Sequence, residues 1–492
     1  MKTTKKIFAA VLAVMMIALM IPFSASAVES YSATYKLAVD ATDTDKVGNY
    51  TFSFFKIADL NLTTGEYTST INNTALEDAV KGTYSDAKSQ QIITACDNLY
   101  KTDKAAFGTA ATTISFSSTV TEATATVTDP GLYYVYCTSK PAKVTGVQSS
   151  LASLPYFDGA EYVSVDQTEH NLATKVSTSS VSVDKAADKQ YVGDNDKTVT
   201  YTLKASTAGS IDNQLKTYAI VDTMDEGLTF NENSVVVKYD GAVDALTLDT
   251  DYSIEKNYTY TGKNGEATTA TFAVVFKSAT LASEKFYDAE NVVVTYTADL
   301  NEKAKLNTPI TNTDGLVYGN DSDTNFEPGK NSPDVFTYGM KVVKVNGNDT
   351  TQKLADAEFQ IFTDAEAKTP LIVDGKKVVA KTDATGEATF VLEGTITAFK
   401  FDAKQTYYAK EIAAPTGYNL NSSVFTVSID KSKEYTFVGN IADGDNVAVA
   451  NYPVTVPKTG GMGTMMFYVG GAALIACAGV LLFVLKRKKA AK

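Results

Sequence analysis

Short segments in which apolar and polar residues alternate recur along most of this chain of 492 residues. Examples are "SATYKLAVDA" near the start, "KTVTYTLKAS" in the middle and "MKVVKVN" further on. A period of two places successive side chains on opposite faces of a strand, and the abundant Thr, Val and Tyr favour that conformation. The chain is therefore predicted to be mainly β, as tandem immunoglobulin-like β-sandwich domains.

The N-terminus has the pattern of an export signal. Three lysines in the first six residues precede an apolar stretch over residues 7–22, and the small-residue sequence "SASA" ends at Ala27. A basic start, an apolar centre and a small-residue cleavage site define a secretory signal peptide. We therefore expect residues 1–27 to be removed and the rest of the chain to be exported.

The C-terminus has the pattern of a membrane anchor. Residues 465–485 contain no charged side chain, and about 20 such residues suffice to cross a bilayer as a helix. The basic sequence "KRKK" follows at 486–489, which favours a cytoplasmic position for the tail. The expected precursor is an exported body held in the membrane by its C-terminal end.

Composition limits the function of the body, residues 28–459. The whole chain carries a net charge of −13, and because its two ends hold eight basic residues and no acid, the body carries −21. Such a charge repels nucleic acid and anionic membranes. The single histidine, His170, leaves no usual His and Cys zinc site and would have to serve any Ser-His-Asp triad. A secreted hydrolase is therefore disfavoured, and no metal or cofactor is expected.

Two cysteines remain in the body. Cys477 belongs to the predicted membrane segment, so Cys96 and Cys137 form an even pair in an oxidising compartment. They could form a disulfide, or they could be two buried free thiols.

The 432 residues of the body are long enough for about three domains. We place these at 28–172, 173–332 and 333–453. The first contains a segment with apolar residues at helical spacing, residues 75–101, so it should combine strands with some helix. The other two consist of short strand patterns separated by polar turns, as in an antiparallel sandwich.

A short peptide precedes the membrane segment. The sequence "VPKTG", Val456, Pro457, Lys458, Thr459 and Gly460, resembles the LPxTG sorting signal of Gram-positive surface proteins, with Val in place of Leu. The motif, the apolar segment and the basic tail stand in that family's order over residues 456–492, and the signal peptide at the N-terminus completes the family's pattern. The resemblance implies that a sortase attacks the Thr459 carbonyl, releases Gly460 onward and joins the chain to an amine of the cell wall peptidoglycan or of a neighbouring subunit.

A second motif lies in the third domain. The sequence "YYAKEIAAPTGYNL", residues 407–420, resembles the E-box of collagen-adhesin B-type domains, although Ala409 and Ile412 replace the usual Leu and Thr. Together with the sorting signal, it makes the chain similar to major shaft pilins that sortase polymerises. That family implies Lys–Asn isopeptide bonds, each promoted by a buried acid and each formed once without a cofactor. The chain would otherwise not be an enzyme.

In the third domain the resemblance selects Lys344 on the first strand, Asn451 on the last strand and Glu411 in the E-box. Alternation in "MKVVKVN" places Lys344 on the face of Val342, where a charged amine would be costly. Lys341 is the competing amine. The protonated acid is expected to donate a hydrogen bond to the side-chain oxygen of the asparagine.

In the second domain the same resemblance selects Lys185 as the amine and Asp222 as the acid. The last strand, "ITNTDGLVYGN", offers Asn320 as the partner and Asn312 as the alternative.

The resemblance also implies a lysine that receives the sortase acyl group from the next subunit. The family's Tyr-Pro-Lys motif is missing here, and Lys175 occupies the corresponding junction between the first two domains. The predicted function is a structural subunit of a covalent pilus, which could also bind a host or matrix ligand. The alternative is a monomeric adhesin attached to the wall by the same signal.

Overall fold

The computed structural model describes residues 31–39, 43, 46–62, 64–81, 86–117, 119–157, 162–163, 165–172, 174–427, 429, 448–455 and 463–489. The predicted signal peptide and the sorting peptide at 456–460 lie outside the described residues. The chain forms two compact units, Met1–Val192 with Asp196–Phe336, and Gly193–Asn195 with Thr337–Lys492. Both are built mainly from strands, as the sequence predicted.

In the residues that the structure describes, the N-terminal part of the first unit contains twelve strands, two α-helices and a 3₁₀ helix. In chain order these are β1 (Ser32–Ala38), β2 (Tyr50–Leu60), β3 (Tyr67–Ser69), α1 (Thr74–Val80), α2 (Asp86–Thr102), the 3₁₀ helix Lys104–Phe107, β4 (Thr112–Phe116), β5 (Glu122–Val127), β6 (Gly131–Ser139), β7 (Val144–Val147), β8 (Ser150–Leu154), β9 (Tyr156–Phe157), β10 (Tyr162–Val163), β11 (Val165–Leu172) and β12 (Val176–Thr178). The predicted helical segment is confirmed. Asn73 caps α1 by accepting a hydrogen bond from the Leu76 amide.

A central sheet of this part is covered on both faces. Its strand order is β3-β2-β6-β8, with β4 also paired to β2, and a three-stranded sheet has the order β11-β1-β5. Leu132 and Tyr134 of β6 pack with residues of α1 and α2, whereas Tyr133 and Val135 pack with residues of β1 and β5. Because both faces are buried, β6 has the continuous apolar sequence "LYYVYC" rather than an alternating one.

The two cysteines lie in different clusters of this arrangement. Cys96 of α2 packs among the helices, and Cys137 of β6 packs on the opposite face of the central sheet. Both are free buried thiols, so the structure does not contain the disulfide that the sequence allowed. Burial raises the pKa of Cys137 to about 12, which keeps this thiol protonated.

The C-terminal part of the first unit is a two-sheet sandwich. Its elements are β13 (Val183–Ala187), β14 (Thr198–Ser206), β15 (Thr217–Met224), β16 (Leu228–Tyr239), β17 (Tyr252–Thr261), β18 (Ala267–Phe276), α3 (Ser278–Leu281), α4 (Glu284–Asp288), β19 (Asn291–Leu300), β20 (Asn312–Gly319) and β21 (Thr324–Pro328). One sheet has the order β13-β14-β19-β16 and the other β17-β18-β15-β20-β21, with all neighbours antiparallel. Tyr201, Tyr218 and Tyr296 are among the large side chains of the core between them.

The second unit contains the remaining strands and one long helix. These are β22 (Lys341–Asn346), β23 (Asp349–Lys353), β24 (Glu358–Phe362), β25 (Ile372–Val373), β26 (Lys376–Lys381), β27 (Glu387–Thr389), β28 (Val391–Leu392), β29 (Tyr407–Ala413), β30 (Val424–Val427), β31 (Ala448–Asn451) and α5 (Gly463–Lys489). In one sheet, β22 pairs with β23, β27 and β31. The other sheet has the order β25-β26-β24-β29-β30, and β28 also pairs with β26. The first and last strands, β22 and β31, are therefore direct neighbours, and they run parallel.

The helix α5 is long and apolar enough to cross a membrane. An 18-residue window within Met465–Arg487 has a mean hydropathy of 2.3. By length and composition this helix fits the membrane segment that the sequence predicted at 465–485.

Candidate functional site

The second unit brings a lysine, an asparagine and a glutamate together in its core. Lys344 Nζ donates a hydrogen bond of 2.5 Å to Asn451 Oδ1, and it lies 3.4 Å from Glu411 Oε1. Asn451 Nδ2 donates to the same Glu411 oxygen at 2.9 Å. The three side chains are at most 1% exposed. The three residues selected by sequence analysis, Lys344, Glu411 and Asn451, thus meet in one buried cluster.

Strand pairing explains this meeting. In the parallel pair of β22 and β31, Lys344 lies opposite Val449 and Asn346 lies opposite Asn451. Lys344 and Asn451 are therefore offset by two residues on one sheet, a gap that the long lysine side chain spans. Glu411 comes from β29 of the other sheet, and the Asn421 amide donates to its Oε2 at 2.7 Å. The cluster consequently joins both sheets of the sandwich.

The surroundings of Lys344 disfavour its charged form. Nζ lies 5.7 Å from the centre of the Phe359 ring, in a core without solvent contact. Burial lowers the pKa of Lys344 to about 8, against the opposing influence of Glu411. With this pKa, roughly a tenth of the amine is neutral at pH 7, a far larger fraction than for an exposed lysine. Lys341, the competing amine, is exposed at the start of β22.

The hydrogen bonds of Asn451 differ from the expected arrangement. The sequence interpretation had the acid donating to the asparagine oxygen, whereas in the structure Lys344 donates to that oxygen and Glu411 accepts from the Asn451 nitrogen. Glu411 therefore lies beside the nitrogen that would leave as ammonia if the lysine attacked the amide carbon.

A second buried lysine lies in the sandwich of the first unit. Lys185 Nζ, on β13, is 2.7 Å from Asp222 Oδ2 on β15, and it donates to the Thr313 carbonyl at 3.3 Å. Lys185 is 3% exposed and Asp222 is 1% exposed. Burial lowers the pKa of Lys185 and raises the pKa of Asp222, and in each case the partner's charge opposes the shift. Both shifts favour a neutral amine beside a protonated acid.

Asn312, the alternative partner, belongs to this second cluster. Its side chain is fully buried, and Asn312 Nδ2 donates to the Tyr296 hydroxyl at 2.7 Å. That hydroxyl donates in turn to Asp222 Oδ2 at 2.6 Å. Among the described residues, Asn312 Oδ1 has no hydrogen-bond partner. Sequence analysis missed Tyr296, because nothing in the pattern of β19 distinguishes it from an ordinary core tyrosine.

Asn320, the preferred partner from sequence, is placed elsewhere. Antiparallel pairing puts Asp222 opposite Asp314, whereas Asn320 follows the end of β20, six residues away or roughly 20 Å along the strand. Its side-chain nitrogen donates to the Lys140 carbonyl and to Asn213 Oδ1, both at 2.9 Å. The structure therefore does not bring Asn320 to Lys185.

Asp314 is a further acid of the second cluster that sequence analysis missed. Its side chain is on the same face of the sheet as Asp222, and both carboxyl oxygens lack a hydrogen-bond partner among the described residues. Burial raises its pKa to about 7, with nearby Lys185 opposing the shift and Asp222 adding to it. Gly329 leaves room for this carboxyl, since a Cβ there would lie 2.3 Å from Asp314 Oδ1.

The other predicted residues lie outside these clusters. Lys175 is exposed between β11 and β12, and its carbonyl accepts a hydrogen bond from the Gln148 amide. The residues of the sorting peptide, 456–460, are outside the described residues. Among the described residues, no group of three or more His, Cys, Asp or Glu could hold a metal ion.

The raised pKa of Asp314 predicts a pH-dependent stability. The folded protein binds this proton more tightly than the unfolded chain, so the contribution is full below about pH 4 and is lost as pH rises through about pH 7. Asp314→Asn should remove this loss, which we expect to be on the order of 2 kcal/mol after screening by solvent. Denaturant unfolding of both proteins between about pH 4 and about pH 8 measures the difference. Identical pH profiles would contradict the assignment.

The chain is similar to one family model and to several known proteins. The family model described as "SpaA: Prealbumin-like fold domain" matches residues 339–441, which include Lys344 and Glu411. A fimbrial subunit type 1 of Actinomyces viscosus is 25% identical over 415 residues, covering 74% of each chain. The full-length RrgB pilus protein of Streptococcus pneumoniae is 17% identical, with 88% of this chain and 99% of that one covered and a TM-score of 0.49. The full-length major pilin SpaD of Corynebacterium diphtheriae is 19% identical over 88% and 99% of the two chains, with a TM-score of 0.43. Over about three quarters of its length, this chain is thus similar to a fimbrial subunit.

Proposed function

We propose that this chain is a structural subunit of a covalently polymerised cell-surface pilus, stabilised by two self-formed Lys–Asn isopeptide bonds. The observation that carries the proposal is the fully buried contact of 2.5 Å between Lys344 Nζ and the Asn451 side chain, next to Glu411. The similarity of the chain to a fimbrial subunit supports the same proposal.

The buried lysine supports a chemical role rather than a simple ion pair. Removing two charges from water costs several kcal/mol for each ion, and their attraction often fails to recover that cost. Transfer of the proton from Lys344 to Glu411 removes both charges. The product is a neutral amine, which is a nucleophile, held against an amide.

The proposed reaction balances without any co-reactant. The lone pair of Lys344 Nζ attacks Asn451 Cγ, and the bond from Cγ to Nδ2 breaks. Glu411 accepts a proton from Nζ and delivers one to Nδ2, which leaves as ammonia. Its position 2.9 Å from Nδ2 and 3.4 Å from Nζ supports this transfer. The carboxyl group returns to its starting state, and the reaction occurs once in each molecule.

The bond would stabilise the second unit in two ways. It spans 107 residues, so by analogy with a disulfide closing about 100 residues it removes roughly 4 to 5 kcal/mol of unfolded-state entropy. It also joins the first strand, β22, directly to the last strand, β31. Tension that enters at one strand and leaves at the other then passes through the covalent bond rather than through the rest of the sandwich.

In the first unit we propose the bond between Lys185 and Asn312, with Asp222 as the acid. The burial of all three side chains and the hydrogen bonds through Tyr296 support Asn312 over Asn320. Tyr296 connects the acid to the leaving nitrogen of Asn312, so its hydroxyl could relay the proton.

Assembly of the pilus requires a sorting peptide on one subunit and an acceptor amine on the next. We propose that sortase cleaves after Thr459 and transfers the acyl group to Lys175 of a neighbouring subunit, or to cell-wall peptidoglycan at the base. The exposure of Lys175 and the membrane-length helix α5 after the sorting peptide support this order of events.

Each isopeptide bond should lower the intact mass by about 17 Da, the mass of the ammonia that leaves when the lysine attacks. The exported chain should therefore be about 34 Da lighter than its sequence requires, because two such bonds form. Glu411→Ala and Asn312→Ala should each restore about 17 Da beyond the change of side chain. Electrospray mass spectrometry of the denatured proteins measures these differences.

Two matched variants serve as controls for the mass measurement. Glu393→Ala removes an exposed acid from the same unit as Glu411, and Asn320→Ala removes the asparagine that lies away from Lys185. Both should keep the full loss of mass. A wild-type chain of full mass would refute the proposal, and a recovered mass in Asn320→Ala would refute the choice of Asn312.

Polymerisation should depend on Lys175. Lys175→Ala should abolish the SDS-resistant ladder of wall extracts while single subunits remain attached to the wall, because sortase lacks its acceptor amine. Lys189→Ala is the matched control, since the Lys189 amine lies 2.6 Å from Asp196 in an ion pair. A normal ladder in Lys175→Ala would show that another lysine, such as Lys189, carries the link. A wild-type chain without a ladder would favour the monomeric adhesin.

A further inference from the structure

The first unit contains a cleft that is separate from both lysine clusters. Its volume is about 480 Å³, within the range of small-molecule sites. Residues of α2, the 3₁₀ helix and the end of β6 line one side, and residues 211–216 and 320–322 line the other. We call it the lysine cleft, because Lys101, Lys104, Lys140 and Lys216 all line it.

The lysine cleft is electropositive in a strongly acidic protein. The two acids in its lining, Asp212 and Asp321, lie 3.8 Å from Lys101 and 3.9 Å from Lys216. These pairs leave two lysines, Lys104 and Lys140, without a carboxylate partner among the described residues. A local excess of positive charge in a chain whose body carries −21 favours binding of an anion.

Lys140 is the residue that most requires a ligand. It is only 8% exposed, and among the described residues no side chain forms an ion pair or hydrogen bond with its amine. Leaving a buried ammonium unpaired is costly, whereas an anion in the cleft would provide its partner. Burial lowers the pKa of Lys140, so the charged form is disfavoured until an anion in the cleft stabilises it.

The backbone around Lys140 is held in place before any ligand binds. The Asn320 side chain donates to the Lys140 carbonyl at 2.9 Å, and the Ala142 amide donates to Asp323 Oδ1 at 2.8 Å. The hydroxyls of Ser139 and Ser322 form a hydrogen bond of 2.5 Å. Such a preorganised wall reduces the entropic cost of binding.

The remaining lining is uncharged and mostly polar, with Ile211 as its one aliphatic side chain. It offers hydroxyl and amide groups, among them those of Ser139, Ser322, Asn213 and Gln214. The rings of Tyr100 and Tyr136 lie at one side, with their centres 4.2 Å apart. Hydroxyl and amide groups match the hydroxyls of a sugar, and aromatic rings match its carbon-bound faces. We propose that the lysine cleft binds a small acidic sugar, whose carboxylate or phosphate group pairs with Lys140.

Calorimetric titration of the full chain, in a detergent without sugar headgroups because of α5, tests this proposal. The probes are glucuronate and glucose 6-phosphate, with glucose and inorganic phosphate as the neutral and sugar-free comparisons. At least one acidic sugar should bind saturably, and glucose and phosphate should each bind roughly tenfold or more weakly, as expected from the loss of a charge-assisted hydrogen bond or of the sugar contacts. The stronger of the two acidic sugars identifies carboxylate or phosphate as the preferred group.

Variants then assign the binding to Lys140. Lys140→Gln should weaken binding of the acidic sugar roughly tenfold or more. Lys81→Gln, which removes an exposed lysine of the same unit away from the cleft, should leave it unchanged. In the wild-type chain the bound sugar should also protect Lys140, but not Lys81, from acetylation, a readout that does not depend on the folding of a variant.

Three results would overturn the proposal. One is the failure of both acidic sugars to bind more tightly than glucose. Another is equal binding by inorganic phosphate, which would indicate a simple anion site. The third is unchanged binding in Lys140→Gln together with unprotected Lys140 in the wild type.

Discussion

A lysine amine inside an apolar core is the constraint on which the account of this molecule depends. Lys344 and Lys185 each belong to a strand whose side chains alternate between two faces, and each lies on the inward face. An ammonium group there must lose its proton, find a charged partner or react. In both places an acid and an asparagine belong to the same buried cluster, so the feature that would destabilise an ordinary sandwich is the basis of the proposed covalent bond.

The strand topology determines how the proposed bond would carry mechanical load. In the second unit the first and last strands are parallel neighbours, and the glutamate reaches them from the opposite sheet. A bond at this position carries tension between the ends of the domain without requiring the hydrogen bonds of the sheets to resist it. The proposed attachment to the wall at one end and to a neighbouring subunit at the other would place such tension on this domain.

Local patterns predicted the class of fold and most of one cluster, but not the details that depend on strand register. Alternation in β22 identified Lys344 as an inward lysine, and the E-box resemblance identified Glu411. Residues 312 and 314 of β20 and residue 320 just after its end share the same parity, however, so alternation could not decide between Asn312 and Asn320. The pairing of Asp222 with Asp314 favours Asn312, and that register depends on contacts distant in sequence. Tyr296, Asp314 and the lysine cleft were missed for the same reason, since their neighbours come from separate parts of the chain.

The most direct test of the central claim is peptide mapping of the exported wild-type chain by tandem mass spectrometry. After proteolysis under denaturing conditions, the account predicts a branched peptide in which the side chain of Lys344 is joined to that of Asn451, with the masses of its fragments locating the bond at these two residues. Recovery of the Lys344 and Asn451 peptides as separate, unmodified species would contradict it.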